Sequence, residues 1–226
     1  MSPLTNLRRL AVSLAMFALV ALGSSIVARA DTITFDLNNG NPGISGFPPP
    51  YAAVTINRTS TTTATITFQA YAGYLIGGAQ AVDLNFNGGA VTFANLSFTG
   101  GCIGGGCPAG GTSFASEGAG NADGWGSFNF RLGVTDGFTN AVTSVTFDVT
   151  CLSCNWGSAG AVLTPNELGH SAAAHIFVIG SNCGGSPCTG FATNGAGDAV
   201  PEPASMFLLG TGLLGLAAGV RKRFRK

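Results

Sequence analysis

The six cysteines are the residues of this 226-residue chain whose spacing most directly suggests chemistry. They form three local pairs, namely Cys102 with Cys107, Cys151 with Cys154, and Cys183 with Cys188. An even number of closely spaced cysteines predicts disulfide bonds in an exported chain, because the compartments outside the cytoplasm are oxidising. Glycines inside the first and third pairs let the backbone turn back tightly, so we expect those two pairs to close on themselves.

Two other chemistries could use the same sulfur atoms. Cys151 and Cys154 have the C-x-x-C spacing of redox dithiols, but such a motif ordinarily opens a helix, whereas this one follows a predicted strand. The same pair could bind zinc together with another cysteine pair, or with His170 and His175. On one straight strand, however, two histidines five positions apart would face opposite sides.

Oxygen-bearing and aromatic side chains provide the remaining candidates. A glycine-rich loop holds three possible calcium ligands, Glu117, Asn121 and Asp123, although their spacing fits no EF-hand. The carboxylates available for a glycosidase-type pair are Asp83, Asp136, Asp148 and Glu167. The rings that could form a sugar-binding face, or simply fill a core, are Trp125, Trp156 and Tyr71. None of these sets is a convincing catalytic constellation, so we expect a non-enzymatic domain without catalytic residues, cofactor or metal.

The elements that would position these groups are short β-strands. Alternation of apolar residues with Thr or Ser is clearest over Thr62–Phe68 and Val142–Val149. The predicted strands are Thr32–Leu37, Ala53–Arg58, Thr62–Tyr71, Ala81–Phe86, Ala90–Phe98, Gly126–Val134, Ala141–Thr150 and His175–Ile179. Asn87–Gly89 predicts a hairpin turn, and Gly100–Asp123 a long loop. The expected fold is mainly β: an antiparallel β-sandwich of jelly-roll or Greek-key type over residues 31–189.

Charge is distributed unevenly along the chain. Residues 31–200 contain nine carboxylates but only two cations, Arg58 and Arg131, and no lysine, giving a net charge of about −7. Nucleic-acid binding depends on clustered Lys and Arg, so nucleic acid is excluded as a partner. Thirteen phenylalanines spread over the same stretch are enough to fill one core.

The first thirty residues have the three parts of a secretory signal peptide. Arg8 and Arg9 precede an apolar run over residues 10–22, and the small residues Ala28 and Ala30 suit a signal peptidase. We therefore expect export by the general secretory machinery, with cleavage after Ala30 and a mature chain that begins at Asp31.

The other end of the chain is built in three parts as well. The tripeptide Pro201-Glu202-Pro203 precedes an uncharged run over residues 204–220, which as a helix would span about 25 Å. A basic tail follows, with Arg221, Lys222, Arg223, Arg225 and Lys226. The run predicts a transmembrane helix whose cationic end stays in the cytoplasm. Residues 190–199 predict a flexible linker before it.

These C-terminal residues resemble the PEP-CTERM sorting signal of exopolysaccharide-producing Gram-negative bacteria, here over residues 200–226. The resemblance implies recognition by exosortase, an integral-membrane cysteine transpeptidase, and cleavage near the tripeptide. It also implies a precursor held transiently in the inner membrane and a product in the cell envelope or outside the cell, with exopolysaccharide as a further partner. We expect a structural or binding ectodomain, and the alternatives are a carbohydrate-active enzyme or a carbohydrate- or calcium-binding adhesive module.

Overall fold

The computed structural model describes residues 31–78, 80–100, 114–134, 141–184 and 186–195. Within these residues the chain is mainly β, with a single turn of 3-10 helix at Ala159–Ala161. In chain order the strands are β1 (Asp31–Leu37), β2 (Asn39–Gly40), β3 (Ala52–Arg58), β4 (Thr63–Ala70), β5 (Tyr74–Ile76), β6 (Val82–Leu84), β7 (Thr92–Thr99), β8 (Phe114–Ala122), β9 (Gly126–Val134), β10 (Ser144–Thr150), β11 (Ala172–Val178) and β12 (Thr189–Thr193).

The strands form two antiparallel sheets. The first has the order β1-β3-β4-β10-β7, and the second has the order β2-β12-β11-β6-β9-β8 with β5 paired to β11. Neighbours in the first sheet are fully in register over β1, β3 and β4, from Asp31 opposite Arg58 to Leu37 opposite Ala52. The chain crosses between the sheets several times, so residues far apart in sequence become neighbours.

Side chains from both sheets meet in one hydrophobic core. Alternate residues of β3 and β4 are buried, as expected for strands with one face on a core. Phe147 of the first sheet stacks on Phe130 of the second, with ring centroids 5.8 Å apart. Ile56 and Ile66 of the first sheet and Leu132 and Ile176 of the second belong to the same cluster and are fully buried. The two sheets therefore stabilise each other through this shared interior.

The first strand is fixed from its first residue. The Asp31 carboxylate accepts a hydrogen bond from Arg58 Nε at 2.7 Å, and its other oxygen accepts the backbone N–H of Ala159 at 2.6 Å. Asp31 is the residue that we expect to be first after signal-peptide cleavage. The first residue of β1 therefore directly follows the expected cleavage site in the sequence.

The outer face of the first sheet is covered by hydroxyl groups. One row crosses all five strands and consists of Thr34, Thr55, Thr67, Thr146 and Ser97. Within it, Thr34 and Thr55 hydroxyls are 2.9 Å apart, as are those of Thr67 and Thr146. The neighbouring row contains Asp148, which accepts hydrogen bonds from Thr65 and Asn95 at 2.6 and 2.8 Å. Many polar side chains of this face are thus hydrogen-bonded to one another.

Three expectations about connections are wrong. Asn87–Gly89 is not a hairpin turn, because β6 and β7 lie in different sheets and this segment crosses between them. The predicted loop Gly100–Asp123 contains β8, which pairs with β9. The linker expected from Gly190 begins too early, because β12 continues to Thr193 with Phe191 only 8% exposed. All three errors involve glycine-rich segments, whose structure depends on pairing partners more than on their own propensity.

The expected signal peptide, the tripeptide Pro201–Pro203, the apolar run and the basic tail lie outside the described residues. Within the described part, the chain has no helix with the length and apolar character needed to cross a bilayer.

Candidate functional site

Two of the three cysteine pairs are disulfide bonds. Cys151 is bonded to Cys154 and Cys183 to Cys188, with Cα atoms 5.3 and 5.0 Å apart. The first bond closes the turn that follows β10, and the second closes the turn between β11 and β12. In this state neither pair can act as a free dithiol or as a thiolate ligand for zinc. Cys102 and Cys107 lie outside the described residues, so their pairing stays a prediction.

The three aromatic residues considered for a sugar-binding face or for the core do not share a face. Trp156 is 1% exposed within the shared core, and its indole N–H donates to the Asn87 carbonyl at 2.8 Å. Tyr71 is 40% exposed and donates to Asp36 on the first sheet. Trp125 lies at the β8–β9 turn of the second sheet. The alternative in which these rings form one sugar-binding face is therefore wrong, and Trp156 fills the core instead.

The candidate carboxylates are also dispersed. Asp83 is fully buried in the second sheet and forms an ion pair with Arg131, with Oδ1 and Nε 2.7 Å apart. Asp148 lies on the outer face of the first sheet, on the far side of the core. Glu167 accepts the backbone N–H of Ser127 at 2.7 Å. Asp136 lies outside the described residues.

The pKa shifts of these carboxylates do not suit a general acid. Hydrogen bonds from Asn95 and Thr65 lower the pKa of Asp148. Backbone hydrogen bonding, led by that from Ser127, lowers the pKa of Glu167. A glycosidase acid needs a raised pKa, so that it holds a proton at neutral pH. Asp148 and Glu167 are shifted in the opposite direction.

The calcium candidates lie on β8 and on the turn that follows it. The backbone carbonyl of Asn121 accepts a hydrogen bond from the guanidinium of Arg131 at 2.8 Å, a contact that opposes a second cation at that oxygen. Asp123 is exposed and contacts Asn41 instead. Among the residues that the structure describes, no group of three His, Cys, Asp or Glu side chains could hold a metal ion.

A row of rings on the outer face of the second sheet includes both histidines. His170 packs edge-on against Trp125, with ring centroids 5.0 Å apart, and Trp125 donates its indole N–H to the Phe191 carbonyl at 3.1 Å. Phe191 stacks on His175 with centroids 4.7 Å apart and planes 12° apart. His170 precedes β11 and His175 lies within it, so the alternation rule for one straight strand does not apply to this pair.

Beside this row lies an open cleft of about 450 Å³, which we call the Asn41 cleft. Its lining includes Asn41, Gly43, Asp123, His175, Thr189 and Phe191. The residues come from the segment after β2, the β8–β9 turn, and strands β11 and β12. Its volume falls within the range of small-molecule sites in proteins. It combines polar groups with the aromatic rings of His175 and Phe191.

Asn41 holds the three walls of the cleft together. Its side-chain oxygen accepts the backbone N–H groups of Gly43 and Phe191 at 3.2 and 3.1 Å. Its side-chain N–H group reaches Asp123, contacting the backbone oxygen at 3.3 Å and the carboxylate at 3.4 Å. Asn41 itself is only 6% exposed. A side chain at Gly190 would clash with the Asn41 oxygen, so glycine is needed there for this approach. The cleft is therefore preformed.

His175 is neutral at physiological pH. Burial lowers the pKa of His175 to about 4, and a hydrogen bond with the Gly77 backbone opposes that shift only in part. The imidazole therefore contributes a flat, uncharged ring to the cleft, stacked on Phe191.

Acidification is expected to destabilise the domain through His175. Between its ordinary pKa of 6.5 and its folded value of about 4, the unfolded chain binds a proton that the folded chain rejects. The free energy of unfolding should thus fall as the pH drops from 6.5 to 4, by about 3 kcal/mol from this residue alone. Urea unfolding at pH 7 and pH 4 measures the loss. The variant His175→Phe keeps the stacked ring, and its free energy of unfolding should fall by about 3 kcal/mol less between pH 7 and pH 4 than that of the wild type. An equal fall in the wild type and the variant would contradict the role given to His175.

The described residues thus define a class: a disulfide-bonded, mainly β domain of two antiparallel sheets. Residues 199–223, which include Pro201–Pro203, match the family model of the PEP-CTERM protein-sorting motif. The chain carries this sorting motif, which supports exosortase-dependent sorting of an exported protein. No curated protein and no solved structure matches the chain.

Proposed function

We propose that the chain is an exosortase substrate whose ectodomain has a non-enzymatic structural or binding role at the cell surface or in the exopolysaccharide matrix. The ectodomain is a two-sheet β-sandwich of jelly-roll or Greek-key type. Exosortase cleaves near Pro201–Pro203 after the apolar run has anchored the precursor in the inner membrane. The observation that carries the proposal is the match of residues 199–223 to the sorting motif, directly after the β domain.

The surface chemistry of the domain supports this role. The outer face of the first sheet presents hydroxyl groups, many of them hydrogen-bonded to each other. Arg58 and Arg131, the two cations of residues 31–200, are each paired with an aspartate and at most 8% exposed. Such a surface has little electrostatic attraction for anionic lipid or polysaccharide. It suits a protein that must stay soluble in a crowded, hydrated matrix.

The scattered carboxylates support a non-enzymatic role. A retaining or inverting glycosidase places two carboxyl groups about 5–10 Å apart across one groove. Asp83 and Asp148 lie in different sheets, and Asp83 is fully buried in an ion pair. The carbohydrate-active enzyme therefore remains the weaker alternative.

Intact mass spectrometry of fractionated cells, with and without exosortase, tests the sorting proposal. With exosortase, the mass should correspond to a chain that ends near Pro201–Pro203, outside the inner membrane. Without exosortase, the chain should end at Lys226 and stay in the membrane fraction. A terminus at Lys226 in both samples would contradict the proposal.

Proline substitutions supply a matched control for that experiment. Pro201→Ala combined with Pro203→Ala should block processing, whereas Pro165→Ala, at an exposed position of the ectodomain, should leave it unchanged. Equal processing of both variants would show that the tripeptide is not what the enzyme recognises.

A further inference from the structure

We propose that the Asn41 cleft binds one unit of a neutral saccharide, with the Asp123 carboxylate accepting sugar hydroxyl groups and the stacked rings of His175 and Phe191 contacting an apolar sugar face. The inference rests on the proposed binding role of the ectodomain and gives that role a site and a ligand class.

The polar groups of the cleft match the hydrogen-bonding needs of a sugar. Asp123 is exposed, and only its Oδ2 atom is engaged by Asn41, at 3.4 Å. Its other carboxylate oxygen is available as an acceptor, which a sugar hydroxyl can fill with a charge-assisted hydrogen bond. Thr189 adds a hydroxyl that can both donate and accept. Asn41 is already saturated by four contacts, so it holds the walls in place and leaves ligand contact to its neighbours.

The aromatic part of the cleft is suited to a ring with an apolar face. His175 and Phe191 are nearly parallel, with planes 12° apart, and both line the cleft. The two rings cover one another and Phe191 is only 8% exposed, so a sugar would contact only the part of the pair that borders the cleft. Pyranose rings present C–H groups on one face, which can pack there without loss of hydrogen bonds. Since the imidazole stays uncharged above pH 5, the wall remains apolar at neutral pH.

The charges around the cleft exclude an anionic ligand. Asp123 is the one charged residue among those that line it. The nearest cation in sequence, Arg131, is engaged by Asp83 and by the Asn121 carbonyl. A phosphate or uronate would therefore meet a carboxylate with no compensating cation. An organic cation could pair with Asp123, but it would leave the Thr189 hydroxyl and the C–H-binding wall without matching groups.

The walls of the cleft are held in place before any ligand binds. Asn41 bridges the segment after β2, the β8–β9 turn and β12, and Trp125 fixes the Phe191 carbonyl from the other side. A ligand then has little protein to order on binding, which reduces the entropy cost of association.

Saturation-transfer NMR and calorimetry on the full chain test the inference with defined probes: maltose, cellobiose and mannobiose as neutral sugars, tetramethylammonium as a cation and glucuronate as an anion. At least one neutral disaccharide should bind with a dissociation constant of about 1 mM or below. Asp123→Ala should weaken that binding at least about tenfold, since a charge-assisted hydrogen bond is lost. The matched control Asp36→Asn, on the first sheet, should leave it unchanged.

Three results would overturn the inference: no binding of any neutral probe, preferential binding of tetramethylammonium, or equal affinity of the wild type and Asp123→Ala. Unfolding curves of each variant exclude loss of fold as the cause of lost binding. The C-terminal mass of the same samples reports on sorting independently, so failure of the cleft and failure of exosortase processing are distinguishable.

Discussion

Replacing Arg131 with methionine is expected to lower the free energy of unfolding by about 3–5 kcal/mol, because a buried carboxylate loses its ion-pair partner. Asp83 is fully buried, and its Oδ1 atom lies 2.7 Å from Arg131 Nε. The guanidinium also reaches the Asn121 carbonyl at 2.8 Å and covers the backbone of Gly120. Methionine fills part of the same space but replaces none of these polar contacts. The loss is a large share of the stability that a domain of this size ordinarily has.

Urea unfolding of three variants separates the ion pair from simple loss of packing. Adding Asp83→Leu to Arg131→Met removes the orphaned charge and should recover most of the lost stability. The matched control is Arg58→Met, whose partner Asp31 keeps 32% of its side chain exposed and so remains solvated. We expect that variant to lose about 1 kcal/mol. A loss below 1 kcal/mol in Arg131→Met would contradict the account.

Trypsin is expected to cut the full chain near its two ends and then stop, leaving a core that begins at or before Ala30 and ends at Arg221. The enzyme cleaves after Lys and Arg, and between Ala30 and Val220 the sequence offers only Arg58 and Arg131. Arg58 ends β3 between two neighbouring strands, and Arg131 lies within β9 between β6 and β8. The peptide bond after either arginine can enter the active site of trypsin only if the sheet around it opens. Cleavage of the core should therefore be at least about 10³-fold slower than cleavage of the unfolded chain.

A time course followed by intact mass measures this resistance. The same chain, reduced and unfolded in urea before dilution into trypsin, is the control and should be cut at both arginines. Arg58 should be cut before Arg131 in the folded protein, because it sits at the end of its strand, where fraying begins. Rapid native cleavage after Arg131 would contradict the position of β9 in the sheet.

The strands that follow a clear two-residue alternation could be predicted from the sequence almost to the residue. Thr62–Tyr71 and Ala53–Arg58 were expected, and β4 and β3 cover Thr63–Ala70 and Ala52–Arg58. In these segments threonine and other polar residues face outward and apolar residues face the core, so local pattern and tertiary burial agree.

The glycine-rich strands could not be predicted in the same way. β8 has the sequence FASEGAGNA and β12 has TGFAT, both weak strand formers on their own. They are strands because β9 and β11 provide hydrogen-bonding partners. In β12, the close approach of Asn41 also requires glycine at position 190. Such requirements come from other parts of the chain and leave no local pattern.

The candidate cleft was not predictable for a related reason. Asn41 and Phe191 are 150 positions apart and become neighbours only because β2 pairs with β12. Asp123 was singled out in the sequence, but for calcium, and His175 for zinc. The sequence shows that Asp123 and His175 are residue types capable of chemistry. Their neighbours in the cleft, which decide what they can bind, depend on the order of strands in the sheet.

The anchoring of Asp31 has a consequence for the order of events during export. A peptidase binds its substrate as an extended segment on both sides of the bond that it cuts. Once β1 has paired with β3, and Asp31 with Arg58 and Ala159, the residues after Ala30 are already occupied in the sheet. The expected removal of a leader after Ala30 would therefore have to come before β1 docks, or wait until that end of the strand opens. Leader cleavage and the closing of the first sheet would then compete in time, so a slower-folding variant should mature faster.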